Sequence, residues 1–191
     1  MPTRKAGRKQ KSRDLWKAFA SRPRECALLK FLVKFNLFAI PLYLILLLDL
    51  RSLWLETFTA DVVYSVLQSL GLALERTGNF IIVPIANGSW GAFINWDCTG
   101  WKSLLALFAL VMATDFTYKI KLKGLSLLLP ALFIINIARI AFMFYFVYAF
   151  GLVFFELVHA VIWSWGLILA ILILWVLWIR WNRKKPVKKQ L

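Results

Sequence analysis

Four apolar stretches, at about 27–48, 98–118, 125–150 and 159–181, are set between clusters of lysine and arginine. In hydrocarbon a backbone must satisfy its own hydrogen bonds, and only helices and closed barrels do so. Stretches of roughly 20 apolar residues are the length that crosses about 30 Å of hydrocarbon as a helix. Of the 191 residues, 61% are hydrophobic and 17% are charged, against roughly 25% charged in an ordinary soluble domain. A chain so short of polar surface needs lipid as part of its solvent. The expected fold is an all-α integral membrane helical bundle of four to five hydrophobic helices, with a small outer amphipathic helix and a hairpin.

The formal net charge of +15 invites a nucleic-acid reading, but the placement of the charge argues against it. Eleven Lys or Arg lie in residues 1–34, three at Lys119, Lys121 and Lys123, and six in residues 180–191. Each cluster flanks an apolar run, as the positive-inside rule requires of cytoplasmic segments. The segment 49–97 has only Arg51 and Arg76 and is expected outside. The chain then divides into a basic cytoplasmic arm at 1–26, a membrane-embedded catalytic domain at 27–181 and a basic cytoplasmic tail at 182–191. Its expected place is the cytoplasmic membrane, multi-pass, with both termini inside. Residues 1–25 are too polar for the h-region of a cleaved signal peptide, so the first apolar run is expected to remain as an anchor. Cys26 and Cys98 fall on opposite sides of this topology, and no disulfide is expected between them.

Between the first two runs, Val62, Val63, Val66, Leu67, Leu70 and Leu74 repeat at helical spacing and predict an amphipathic helix over 57–75. Beyond it, Phe80–Ile85 and Trp90–Ile94 flank Asn87-Gly88, a hairpin signal. Pro84 demands an edge position in such a hairpin.

Helical rise converts this topology into depth. Cys98 precedes Lys119 by 21 positions and His159 precedes Arg180 by 21, each about 31 Å. Arg139 follows Lys123 by 16 positions, about 24 Å. All three side chains are expected in one outer layer, on three helices. Singly, each has an ordinary explanation. A buried cysteine is usually a small hydrophobe. A lone histidine near a helix end is usually an interfacial hydrogen-bonder. Arg139 can snorkel or pair with Glu156 or Asp97. A charge within a membrane helix is nonetheless costly, and usually faces a cavity. A helix start and a nearby cation favour the thiolate of Cys98, while Asp97 opposes it unless it faces away. Glu156-x-x-His159 has the spacing of some di-metal bundles, but no second motif or histidine accompanies it. No metal and no cofactor is expected.

Three blocks in order resemble those of the archaeosortase/exosortase membrane transpeptidases. Asp97-Cys98-Thr99-Gly100-Trp101-Lys102-Ser103 is similar to the nucleophile block, Asn136-Ile137-Ala138-Arg139-Ile140 to the Asn-x-x-Arg block, and His159 to the last catalytic position. The resemblance covers roughly residues 30–181. It implies catalytic roles for Cys98, Arg139 and His159. Asn136, Thr99 and Lys102 are the candidate substrate-binding residues. It also implies partners: exported proteins with a C-terminal signal of motif, hydrophobic helix and basic cluster, and a membrane lipid as acceptor. Two other readings stand beside it. One is a membrane cysteine protease without transfer, and the other is a non-catalytic assembly or transport subunit.

Overall fold

A computed structural model of the chain describes residues 23–85, 88–153, 155–161 and 165–183. The first apolar run folds as two helices, α1 (Pro23–Phe38) and α2 (Ile40–Leu47), bent by 44° at the break. Pro41 stands in the first turn of α2, where its missing N–H costs no intrahelical bond. The bend is therefore a break just before Pro41. Asp49, at φ 46°, turns the chain after α2. Ser52 then caps α3 (Leu53–Ser69), its hydroxyl accepting from the Leu55 N–H at 3.4 Å.

The amphipathic helix thus starts and ends earlier than 57–75. Val63 and Leu67 are fully buried as expected, whereas Leu70 is exposed because the helix has ended. Residues 75–77 form a strand that the helical reading overran. The expected hairpin is present as β2 (Phe80–Ile85) and β3 (Gly88–Phe93), and β1 (Glu75–Thr77) pairs with β2 to give an antiparallel sheet of order β1-β2-β3. The Ala86-Asn87 turn lies outside the described residues. Pro84 sits past the end of β1, so its missing N–H takes nothing from a ladder. Arg76 fastens the sheet to α3, pairing with Asp61, donating to the Gly78 carbonyl at 2.6 Å and lying over the Tyr64 ring.

A 3-10 turn (Trp96–Thr99) follows, then α4 (Trp101–Ala113), α5 (Tyr118–Phe150), α6 (Phe155–Val161) and α7 (Leu167–Arg183). Three boundaries differ from expectation. Cys98 lies in the 3-10 turn ahead of the helix, because Gly100, at φ 75°, breaks the path before Trp101. The Lys119–Lys123 segment is no loop but the first turns of α5. Nothing in Lys-Ile-Lys-Leu-Lys-Gly breaks a helix there, and the buried Lys121 ammonium donates to the Met112 carbonyl at 2.7 Å. The last apolar run is divided between α6 and α7. The basic arm and tail fall largely on residues outside those described.

Helix α5 organises the molecule. Its second half packs on the sheet and α3 through Ile137, Ile140, Ala141 and Phe144, against Val63, Leu67, Ile81 and Val83. Its first half packs on α4 and α7 through Leu125, Leu128 and Leu132. At Gly124 the α7 indole of Trp178 lies so close that an added Cβ would fall 2.5 Å from its Nε1. Tyr118–Phe150 is long and apolar enough to cross a membrane, and the bent pair 25–38 and 40–47 passes the same test jointly. Leu28, Val33, Leu47, Ile134, Ile173 and Leu177 are among many large apolar side chains left exposed. That much exposed hydrocarbon is unusual in water and ordinary against lipid. The fold is mostly helical with a small sheet, and the chain is a membrane protein with at least this apolar helix.

Candidate active site

The sequence Asn95-Trp96-Asp97-Cys98 builds the turn that holds Cys98 from its own side chains. Asn95 caps the 3-10 turn, its Oδ1 accepting from the Cys98 N–H at 3.2 Å. The same oxygen accepts from the Cys98 thiol at 3.1 Å. Thr99 is fully buried and donates its hydroxyl to the Trp96 carbonyl at 2.8 Å. From α5, Asn136 is 1% exposed and its Nδ2 donates to the Cys98 carbonyl at 2.9 Å. Gly100 makes that approach possible, since a Cβ there would meet the Asn136 amide at 2.9 Å.

The Asn136 contact restores the expected depth by another route. Helix α4 is 13 residues long, about 20 Å, so the 31 Å climb from Lys119 does not run along it. Asn136, however, stands 17 residues beyond Lys119 on one unbroken helix, about 25 Å up. It touches Cys98 directly, and Arg139 is one turn further on.

Cys98, Arg139 and His159 line one cavity of about 220 Å³. Trp90, Met143, Phe144 and Phe155 supply apolar walls, and Phe155 stacks on the His159 ring at 5.3 Å. Trp90 in turn packs between Phe144 and Phe155, which ties the sheet to α5 and α6. Cys98 is 8% exposed. Burial pushes its thiol above the usual range, while a backbone hydrogen bond from Asn95 and the Arg139 charge pull the other way. Asp97 does not engage Arg139. Its carboxylate pairs with Lys102 at 2.7 Å.

That pair lies in a second, more polar cleft of about 340 Å³, lined also by Asp49, Arg51, Glu56 and Trp101. Lys102 therefore belongs to this cleft, and Asn136 and Thr99 are buried supports of the Cys98 turn that line neither space. Asn95 lines both. Its role was missed in the sequence, although an Asn three residues before a Cys is an Asx-cap signal. Among the described residues, no group of three or more His, Cys, Asp or Glu is arranged to hold a metal ion.

A thiol, an imidazole and a guanidinium around one small cavity can support nucleophilic acyl chemistry: attack, proton transfer and stabilisation of an oxyanion. Comparison with known proteins gives one match. The family model described as transmembrane exosortase covers residues 18–178. No curated protein and no solved structure matches the chain.

Proposed function

The chain belongs to the transmembrane exosortase family, and on that premise we propose that it is a cysteine-dependent transpeptidase of exported proteins. It cleaves a C-terminal sorting signal made of a motif, a hydrophobic helix and a basic cluster. It passes the new C-terminus to an acceptor, a membrane lipid. The observation that carries this reading is the shared cavity of Cys98, Arg139 and His159.

In the proposed mechanism His159 takes the thiol proton as Cys98 Sγ attacks the scissile carbonyl carbon. Arg139 faces the oxyanion, where a site shielded from water makes its charge more effective. The C–N bond breaks, His159 returns the proton to the leaving amine, and a thioester remains on Cys98. The acceptor nucleophile then loses its proton to His159 and attacks the thioester. The C–S bond breaks and the thiol is restored. The site faces outward in the cytoplasmic membrane, with the lysine end of α5 and both termini inside. Its depth suits a substrate helix whose basic end is held at the inner face.

The test is Cys98→Ala with expression verified. Processing of a substrate is expected to stop, and continued processing would sink the proposal. Hydroxylamine-sensitive trapping of the Cys98 thioester identifies the attached peptide. Mass spectrometry of the processed C-terminus separates transfer from hydrolysis, which shares the first half-reaction. The burial of Cys98 alone favours a non-catalytic, structural thiol. That reading predicts a thiol inert to outside-facing alkylating reagents.

A further inference from the structure

The sheet leaves one edge open beside the thiol. In the order β1-β2-β3, β3 pairs with β2 on one side, and no strand pairs with its other side among the described residues. The register shows which backbone groups face that edge. The Ile94 N–H donates to the Asn79 carbonyl at 2.8 Å. Asn79 and Ile94 are therefore a hydrogen-bonded pair, one step beyond Phe80↔Phe93. Hydrogen-bonded pairs alternate along an antiparallel ladder. Ala92, Trp90 and Gly88 thus turn their N–H and C=O groups to β2, and Ser89, Gly91 and Phe93 turn theirs outward. The assignment agrees with Pro84, which stands opposite Ser89, where the ladder needs no N–H.

The outward edge runs into the site. The Cys98 thiol lies 3.9 Å from the carbonyl oxygen of Phe93, the last of the three outward-facing residues. A strand added to an edge lies about 4.8 Å from it. A peptide paired there would carry its main chain past Cys98 Sγ at contact distance. Trp90, Ala92 and Phe93 line the same cavity as Cys98 and His159. Ser89 and Phe93 are exposed, and Gly91 is half-buried. Gly91 leaves room for the Phe80 ring, which a Cβ there would meet at 2.6 Å.

We propose that the free edge of β3 takes the substrate's sorting motif as an added β-strand, with main-chain hydrogen bonds to Ser89, Gly91 and Phe93 that set the scissile carbonyl against Cys98. The occupant is an extended polypeptide, because the edge presents alternating donors and acceptors over about 13 Å, a repeat that a peptide main chain matches. The inference rests on the transpeptidase reading and adds how that site holds its substrate.

The experiment uses the full-length protein and a peptide that spans the cleavage site, its acyl half identified from the Cys98 thioester and its leaving half from the parent substrate's sequence, synthesised with each backbone amide N-methylated in turn. An added strand offers every second amide to the edge. Methylation is expected to lower kcat/KM about tenfold or more at alternate residues and little between them, as the loss of one hydrogen bond to a desolvated partner implies. A flat profile, or sensitivity confined to the scissile amide, overturns the edge-docking proposal and leaves the transpeptidase standing. Absence of any acyl-enzyme on the unmodified protein overturns both. Ser89→Pro removes one outward N–H and is expected to raise KM for the peptide while iodoacetamide still labels Cys98. Unchanged KM in a folded Ser89→Pro protein counts against the proposal.

Discussion

Cys98 is poised between two influences that can be separated. Burial raises its thiol pKa, and the Arg139 charge opposes the rise. Iodoacetamide labelling reports thiolate, so its rate climbs with pH through the thiol's raised range. Arg139→Gln removes the opposing charge. The labelling profile is then expected to move to higher pH, with slower labelling at any fixed pH below it. A profile that stays in place or moves to lower pH would show that Arg139 does not act on the thiol. Asp97 adds to the rise, although its carboxylate is paired with Lys102. Cys98, Arg139 and His159 stood out in the sequence because each is costly or reactive in an apolar setting, and the structure brings them to one cavity. The supports were not, because Asn95, Thr99 and Asn136 act through short-range geometry that single residues do not announce. Asn136 looked like a neighbour of Arg139, and only the fold reveals that it holds the carbonyl of Cys98.

A close approach governs how α5 and α7 meet. At Gly124 the first turns of α5 and the Trp178 ring of α7 leave no room for a side chain. Gly124→Leu forces the helices apart and is expected to destabilise by about 1–3 kcal/mol, as overpacking does, lowering the detergent-solubilised melting temperature. Trp178→Ala in the same protein should recover part of the loss, and an unchanged melting temperature would contradict the contact. Helix α5 and the hairpin were legible from the sequence, the first from its uninterrupted apolar run and the second from Asn87-Gly88 between two β-rich segments. The boundaries were less so. Charge clusters suggested a loop at Lys119–Lys123, yet lysines are good helix formers and nothing there stops a helix. The positive φ of Gly100 shortened α4, a backbone effect with no periodicity to reveal it. Strand β1 has only three residues, and its existence depends on the partner it finds in β2.

For the whole molecule, the governing contrast is between a short α4 and a long α5. Cys98 meets α5 at Asn136, and α5 runs on for 14 more residues to Phe150, about 21 Å. The sheet packs against that continuation. Helical rise gave the place of Arg139 along α5, which is continuous, but not that of Cys98, which reaches the same level through its contact with Asn136. Helical rise also said nothing of what stands above that level, since an overhang depends on which element packs beside the site. The overhang has a consequence for cargo. The cavity at Cys98 is about 220 Å³, too small for a folded domain upstream of the cleavage point, so only an extended tether can reach the thiol. Spanning about 21 Å takes roughly six extended residues. Model substrates whose tether is trimmed below that length should go unprocessed, while longer tethers of any flexible composition should serve equally well. A gel-shift assay on a tether-length series reads the threshold directly, and processing with two or three residues would show that the walls stand aside. The protein thereby selects how far a cargo must be held from its own attachment point, a clearance set by one helix outrunning another.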